Sequence, residues 1–281
     1  MSNVELAGPN AAQAAYWTEN AGPTWVKLQA QLDEQLASLS AATIAALDPK
    51  PGERLIDVGC GCGDTTLELA RRVGPTGHVL GADISAPMLA VAKARAAAAG
   101  LTQASFVEAD AQTYAFEPAD GVFSRFGVMF FAGPVAAFAN LRRALKPGGR
   151  VAFVCWRAMA ENPVMTAPLA AILPLLPEPP PAPPPEAPGP FAFADGDRLQ
   201  RILSDAGFTN IRIEPHDEAI GWRDLDTAVT LALNMGPVGA IARTNPDLLP
   251  RLEPAVRGAL ETYAGPDGVR VPSATWIVSA S

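Results

Sequence analysis

Residues 54–66 read Arg-Leu-Ile-Asp-Val-Gly-Cys-Gly-Cys-Gly-Asp-Thr-Thr, and this stretch decides the fold. A short apolar run is followed by three glycines at alternate positions, and then by Asp64, Thr65 and Thr66, any of which can cap a helix. A buried strand, a glycine turn and a helix N-terminus form a nucleotide-binding unit, because glycine lets the backbone approach a ligand closely. The stretch therefore predicts an α/β protein that binds a nucleotide-containing cofactor.

The spacing of the glycines narrows the kind of nucleotide. A dinucleotide fingerprint G-x-G-x-x-G that starts at Gly59 needs glycine at position 64, where this chain has Asp64. This mismatch disfavours a nicotinamide oxidoreductase. A P-loop needs Gly-Lys-Ser/Thr, which does not follow. The pattern that remains is D-x-G-x-G-x-G, which begins at Asp57.

The composition of the chain limits the kinds of partner that the protein can bind. The chain has 281 residues, 49% hydrophobic and 18% charged, which suits one large domain or one domain with a substantial insertion. Its formal net charge is −8 and no dense basic patch is present, which argues against nucleic acid as a partner. The alanine-rich runs are too short or too interrupted to span a membrane.

The first ten residues and the cysteines indicate a cytoplasmic protein. Met1–Asn10 has neither the basic nor the apolar part of a signal peptide, and three cysteines do not make a disulfide framework. Cys60 and Cys62 are interpreted as small loop residues and not as metal ligands. No second cysteine pair exists, and the histidines, at 78 and 216, lie far away in sequence, so no metal site is predicted.

The order of apolar runs and helical stretches after residue 53 predicts the sheet. Strands are predicted at 54–58, 78–84, 105–110, 120–126 and 150–156, and helices at 64–73, 87–99 and 134–145. This alternation predicts a parallel sheet with right-handed crossovers. A capped helix at 195–207 and strands at 208–220 and 269–278 are predicted to follow.

Three segments flank or interrupt this pattern. Residues 11–47 have helical periodicity, and Gly22-Pro23 is expected to divide them into a short segment and a longer helix. Their aromatic residues either pack ordinarily or form a lid over the cofactor. Pro174 to Pro190 contains ten prolines, which suits a linker or, as we prefer, an ordered excursion over the strand ends. Residues 224–263 carry helical periodicity again.

The resulting domain prediction has three parts. Residues 1–47 form an N-terminal helical lid. Residues 48–156, 195–220 and 268–281 form a cofactor-binding core. Residues 157–194 and 221–267 form cap insertions over the substrate site.

Acidic residues end three successive predicted strands: Asp57, Asp83 and Asp110. An acid at the end of the second strand is where ribose hydroxyls are bound in such folds. Helix capping is the alternative role for Asp83, but Ser85 is placed to do that. Together with Leu145-Lys-Pro-Gly-Gly149, these features resemble the class I S-adenosylmethionine-dependent methyltransferases over roughly residues 45–215. Within that class the chain is similar to the small-molecule branch near the ubiquinone/menaquinone-biosynthesis C-methyltransferases.

This resemblance implies a fold and a cofactor. The fold is a Rossmann-like, mostly parallel sheet of seven strands in the order 3-2-1-4-5-7-6, with strand 7 antiparallel and helices on both faces. The cofactor is S-adenosylmethionine. Asp83 would bind the ribose hydroxyls, and Asp110 would accept from the adenine amino group. The methionine carboxylate would meet the N-terminus of the 64–73 helix or Arg125. The implied cofactor-binding set is Asp57, Gly59, Gly61, Cys62, Gly63, Thr65, Asp83, Ile84, Met88, Asp110, Ala111, Ser124 and Arg125.

The implied activity is in-line methyl transfer to a small apolar or aromatic acceptor. The alternative is a protein that binds S-adenosylmethionine without transferring its methyl group. The residues predicted to line the acceptor pocket are Phe126, Met129, Phe130, Trp156 and Trp222. A base is needed only when the acceptor must lose a proton, and Tyr16 and His216 are candidates for it. Because the cap insertions depart from the quinone-type enzymes, the resemblance does not extend to a particular acceptor.

Overall fold

Five adjacent parallel strands form the larger part of one sheet in the computed structural model, which describes residues 8–178, 184 and 186–281. They are β1 (Arg54–Val58), β2 (His78–Asp83), β3 (Ala104–Glu108), β4 (Ala119–Arg125) and β5 (Leu145–Trp156). β1 lies between β2 and β4, β3 pairs with β2, and β5 pairs with β4, all in parallel. The predicted parallel sheet is confirmed.

Two long strands complete the sheet. β6 (Arg212–Trp222) and β8 (Gly268–Ala280) pair antiparallel from Arg212↔Ser279 to Trp222↔Val269, and β8 also pairs antiparallel with β5. The two-residue β7 (Ala264–Gly265) pairs only with β8. The order β3-β2-β1-β4-β5-β8-β6 is the predicted order with one added short strand, since β8 takes the place of strand 7. β7 is too short to produce an alternating pattern in the sequence.

Helices cover both faces of the sheet. Neighbouring strand residues point to opposite faces, and on β4 Val122 packs in a cluster with Phe138 and Leu141, whereas Phe123 packs in a cluster with Leu47 and Leu69. The described α-helices are α1 (Ala11–Ala15), α2 (Ala21–Lys27), α3 (Gln29–Leu47), α4 (Asp64–Val73), α5 (Ala86–Ala98), α6 (Pro134–Ala144), α7 (Pro163–Ile172), α8 (Gly196–Asp205), α9 (Leu225–Asn234), α10 (Gly236–Thr244) and α11 (Leu249–Glu261).

The N-terminal helices break at a different place from the predicted one. The chain stays helical through Gly22-Pro23, and the break falls at Leu28, between α2 and α3. A π-helical turn at Tyr16–Asn20 restarts the helix at Ala21, so Pro23 lies in the first turn of α2, where a missing N–H costs no hydrogen bond. A Cβ at position 22 would lie 1.9 Å from the Trp17 carbonyl oxygen. Gly22 therefore permits the turn and does not end the helix.

The segments after β5 and β6 build a second apolar cluster. Helices α7, α9, α10 and α11 pack there against Leu28 and Leu32 of the N-terminal helices and against Trp222. The centre of the proline-rich segment, 179–183 and 185, lies outside the described residues. Its C-terminal end is held on the core, where the Gly189 amide donates to the Met129 carbonyl (3.1 Å) and Phe193 is fully buried.

Within the described ranges, no single helix has both the length and the apolar composition to cross a bilayer. Helices α9 and α10 reach that length and composition only as a pair, and they are bent by 63° relative to each other.

Candidate cofactor and acceptor site

One cavity of about 880 Å³ lies where the carboxyl ends of β1, β2 and β4 meet the N-terminal helices and the 157–267 segments. Such a volume suits a small-molecule site. The sequence-predicted cofactor residues that line the cavity are Gly59, Gly61, Cys62, Thr65, Asp83, Ile84, Met88, Asp110, Ala111 and Arg125. The predicted acceptor residues Phe126, Met129, Phe130, Trp156 and Trp222 line it as well, together with Tyr16.

The glycine loop is held in place by two neighbouring backbones. The Gly59 amide donates to the Ala82 carbonyl (2.8 Å), which fixes the loop to the end of β2. Gly59 has a φ of 69°, and a Cβ there would lie 2.7 Å from the Cα of Gly127. Any side chain at position 59 would therefore push apart the loop and the segment after β4. Glycine at position 59 therefore lets the two backbones meet at the cavity wall.

Asp57 supports this loop from behind. It is fully buried, and its Oδ2 accepts hydrogen bonds from the hydroxyls of Thr65 (2.8 Å) and Thr66 (2.6 Å). Burial raises its pKa to about 6, against the opposing effect of the two hydroxyls. The expectation that a side chain of residues 64–66 caps α4 is wrong, since Gly63 occupies the N-cap position and the threonines bind Asp57.

Asp57, Gly63 and Ser124 are not among the residues that line the cavity. The Ser124 hydroxyl donates to the Val58 carbonyl (2.8 Å). These three predicted cofactor residues therefore shape the wall of the cavity in this structure and do not form its surface.

Asp83 is buried at the cavity wall with both carboxylate oxygens bound to backbone amides. Oδ2 accepts from the Gly61 N–H and Oδ1 from the Ser85 N–H, each at 2.8 Å. Burial raises its pKa, and the amides of Gly61 and Ser85 act against this. A carboxylate oxygen that accepts one hydrogen bond can still accept another, so Asp83 can bind two hydroxyls. Ser85 does not cap α5 with its side chain, because its hydroxyl donates to the Trp17 carbonyl (2.9 Å).

Asp110 supplies the second carboxylate of the cavity. Its Oδ1 accepts from the Gln112 N–H and from Nδ2 of Asn10, both at 2.8 Å, whereas its buried Oδ2 has no partner among the described residues. Buried acceptors in native proteins nearly always have a donor. An exocyclic amine would supply one. Two carboxylates, one suited to a diol and one to an amine, fit the adenosine part of S-adenosylmethionine.

Arg125 is already engaged by acidic side chains. Its guanidinium lies 3.0 Å from Asp64 and 3.5 Å from Asp33, and it donates to the Ser40 hydroxyl (2.9 Å). Arg95 lies 3.0 Å from the same Asp33. Burial and the nearby Asp64 raise the pKa of Asp33. This network ties α3, α4, α5 and β4 together around the start of α4, and no pattern in the sequence indicates the part that Asp33 plays in it.

The other end of the cavity is aromatic. Phe126 stacks on Trp156 with ring centroids 4.4 Å apart, and the ring of Trp17 meets that of Phe130 edge-on at 5.1 Å. The indole N–H of Trp222 is buried without a partner among the described residues. At the rim, Arg243 of α10 donates to the Tyr16 hydroxyl (3.5 Å).

His216 is not among the residues that line the cavity. It lies within β6, opposite Thr275 of β8, and its Nε2 is 3.2 Å from Glu218. Of the two candidates for a base, the structure thus brings only Tyr16 to the cavity. No group of three or more His, Cys, Asp or Glu side chains that could hold a metal ion occurs in the part of the chain that the structure describes.

Comparison with known proteins also indicates a methyltransferase. A family model described as a methyltransferase domain matches residues 55–149. A demethylmenaquinone methyltransferase of Bacillus cytotoxicus is 39% identical over 111 residues, which are 39% of this chain and 47% of that protein. A demethylmenaquinone methyltransferase of Staphylococcus aureus (strain JH9) is 32% identical over 175 residues, which are 58% of this chain and 71% of that protein.

The fold also resembles those of solved structures. The YcgJ protein of Bacillus subtilis superposes with a TM-score of 0.57 at 16% identity, over 87% of this chain and 97% of that one. This likeness concerns the fold alone. The domain match and the identity to the Staphylococcus aureus enzyme, with the acids at the ends of β1 and β2 and beyond β3, show that the chain belongs to the class I S-adenosylmethionine-dependent methyltransferases.

Proposed function

We propose that the protein transfers the methyl group of S-adenosylmethionine to a small aromatic acceptor. The observation that carries this proposal is the single cavity, in which Asp83 and Asp110 share one space with the stacked rings of Phe126 and Trp156. A polar end that fits adenosine and an aromatic end are the two halves that such a transfer needs.

The polar end accounts for the cofactor. Bound S-adenosylmethionine supplies a methyl group that its sulfonium has already activated. Asp83 would accept from the ribose hydroxyls and Asp110 from the adenine amine, while Ile84 and Met88 would pack on the adenine ring. The backbone carbonyls near Ser124 and Arg125 would accept from the methionine ammonium. Its carboxylate would meet the N-terminus of α4, because Arg125 is already paired with Asp33 and Asp64.

The aromatic end accounts for the choice of acceptor. Aromatic rings prefer offset stacking or edge-to-face packing, so the surfaces of Phe126, Trp156 and Trp17 favour a flat ring and fix its orientation. Orientation and the exclusion of water are the main contributions that a protein makes to methyl transfer. In this proposal residues 1–47 act as a lid, residues 157–194 and 221–267 act as a cap, and the remaining segments form the core.

The side chains around the cavity favour an acceptor that loses its proton easily. Among the described residues that line it there is no histidine, glutamate or lysine. A phenol or hydroquinone ionises without a strong base, whereas an aliphatic alcohol does not. Two relatives carry the name demethylmenaquinone methyltransferase, which supports a ring of the quinol type. We therefore place the acceptor among phenols and hydroquinones.

The test is a panel of acceptors incubated with the purified protein and S-adenosylmethionine. S-adenosylhomocysteine and the methylated product are measured by chromatography and mass spectrometry. We expect turnover with hydroquinones and substituted phenols, and none with aliphatic alcohols or with phenols whose hydroxyl is already methylated. Binding of S-adenosylmethionine without product from any aromatic compound would favour the alternative of a cofactor-binding protein that transfers no methyl group.

A further inference from the structure

Asn10 connects the N-terminal helices to the cofactor end of the cavity. It lines the cavity and is only 5% exposed. Its Nδ2 donates to Oδ1 of Asp110 (2.8 Å) and to Oε1 of Gln112 (3.3 Å), and its Oδ1 accepts from the Ala132 N–H (2.7 Å). One side chain thus joins the start of α1 to the segments that follow β3 and β4.

These contacts leave one oxygen of the buried Asp110 carboxylate without a donor among the described residues. Oδ1 receives hydrogen bonds from Asn10 and from the Gln112 amide, so the carboxylate cannot rotate without breaking both. Oδ2 is left without a partner among the described residues. A buried carboxylate oxygen without a donor is costly, and a ligand with an amino group removes that cost.

The same contacts hold the lid closed. The N-terminal segment is fixed at two points: Asn10 on Asp110, and the Trp17 carbonyl on the Ser85 hydroxyl (2.9 Å). Tyr16 and Trp17 lie on the cavity between α1 and α2. Displacement of Asn10 from Asp110 would therefore remove one of the two donors to Oδ1 and one of the two anchors of the segment that covers it.

We propose that Asn10 is a positioning residue for adenine recognition, which orients Asp110 so that Oδ2 faces the 6-amino group and couples base binding to closure of the N-terminal segment. The inference rests on the proposed role of Asp110 toward S-adenosylmethionine. The opposite reading is that the Asn10 amide occupies the place of the adenine amine. Removal of the amide would then tighten cofactor binding instead of weakening it.

The test compares two ligands by calorimetry: S-adenosylhomocysteine and S-inosylhomocysteine, in which an oxo group replaces the 6-amino group. For Asn10→Ala we expect the Kd of S-adenosylhomocysteine to rise roughly tenfold. The reason is that Asp110 is no longer oriented, so the hydrogen bond between the 6-amino group and its carboxylate is lost. The Kd of S-inosylhomocysteine is expected to change less than about twofold, since its oxo group cannot donate to Asp110. The preference for adenine over hypoxanthine should therefore fall.

Two further variants make the outcome decisive. Asn10→Asp keeps the size of the side chain but places a carboxylate beside that of Asp110. It should therefore weaken binding of S-adenosylhomocysteine more than Asn10→Ala does. Asn20→Ala, on the same segment at an exposed position, should bind like the wild type. The inference is overturned if the folded Asn10 variants bind S-adenosylhomocysteine as well as or better than the wild type, or if they lose affinity for both ligands equally. Wild-type protein that binds neither ligand would overturn the proposed function as well.

Discussion

The rings of Phe126 and Trp156 lie face to face, 4.4 Å apart and within 12° of parallel, although Phe126 has a φ of 60°. A bulky side chain in the left-handed region costs on the order of 1–3 kcal/mol, and such strain persists only where the surroundings impose it. The amide of Phe126 donates to the Val154 carbonyl (3.1 Å), which holds the residue beside β5. The arrangement places both rings on the cavity wall where β4 ends.

Loss of the Phe126 ring should weaken binding of the acceptor and leave binding of the cofactor unchanged. Phe126→Leu is expected to raise the acceptor KM roughly fivefold, because an aromatic pair contributes about 0.5–1.5 kcal/mol beyond its buried area. The Kd of S-adenosylhomocysteine should stay unchanged. Initial rates and calorimetry measure the two quantities. Phe208→Leu, a buried ring that packs on Phe138 away from the cavity, is the control. An unchanged KM would show that the acceptor does not touch this ring.

Asp83 should control cofactor affinity. Asp83→Ala removes the acceptor for the ribose hydroxyls and also frees the Gly61 amide that holds the glycine loop. Two lost charge-assisted hydrogen bonds correspond to a Kd for S-adenosylhomocysteine that is about a hundredfold or more higher. Asp226→Ala, which alters an exposed ion pair with Arg257, is the control. Undiminished binding by the Asp83 variant would contradict the ribose assignment.

Asp57 should give the protein a specific dependence of stability on pH. Its pKa is raised to about 6 in the folded chain, so folding favours the protonated carboxyl. That contribution is complete below the ordinary pKa near 4 and is lost as the pH rises through about 6. Asp57→Asn does not titrate at this position, so its free energy of unfolding should rise relative to that of the wild type by about 2 kcal/mol between pH 4 and pH 7. Urea unfolding at four pH values measures this difference, and parallel profiles for the two proteins would refute it.

Arg125 should matter for stability through the acids around it. Arg125→Met leaves Arg95 as the one arginine beside the half-buried Asp33 and Asp64, and it is expected to destabilise the fold by about 2 kcal/mol. Arg257→Met breaks an exposed pair with Asp226 and should cost clearly less, because water screens a surface ion pair. Addition of Asp33→Asn to Arg125→Met should restore part of the loss in denaturant unfolding. Equal costs for the two arginines would argue against the network.

Neither Tyr16 nor His216 should be the catalytic base. The Tyr16 hydroxyl contacts Arg243 at the rim, and His216 does not line the cavity. Tyr16→Phe and His216→Asn are therefore expected to keep kcat within about twofold, well short of the effect of losing a general base. The rising limb of the pH profile of kcat should move with the pKa of the phenol chosen as acceptor. A profile that stays fixed between two phenols of different pKa would indicate a base in the protein.

Local patterns in the sequence were sufficient for the five parallel strands, for the helices between them and for the carboxylates at one end of the cavity. Asp57, Asp83 and Asp110 each follow an apolar run, and parallel strands bring their carboxyl ends to one edge of the sheet. The glycine spacing at 59–63 and the alternation of strands and helices needed no knowledge of distant contacts. Sheet order and the antiparallel strand came from the family resemblance, and the structure confirms both.

Contacts between distant side chains could not be read in the same way. Asn10 meets Asp110, and Asp33 meets Arg125, across about a hundred residues, and no periodicity or spacing encodes such a pair. The capping predictions at 64–66 and at Ser85 failed for a related reason. A hydroxyl beside a helix start normally binds that helix, but here the buried Asp57 and the Trp17 carbonyl offer stronger or nearer acceptors.

The pairing of Trp222 with Val269 at the end of the β6–β8 ladder has a consequence for how such a protein can diversify. Residues 223–263 leave the sheet after Trp222 and return to it through β7, which pairs with the same end of β8, so their two ends are already neighbours. A different segment could replace them there without disturbing the register of either strand or any residue of the glycine loop. Exchange of this segment would change one part of the cavity wall while the glycine loop keeps its contacts, which would be a short route to a new acceptor.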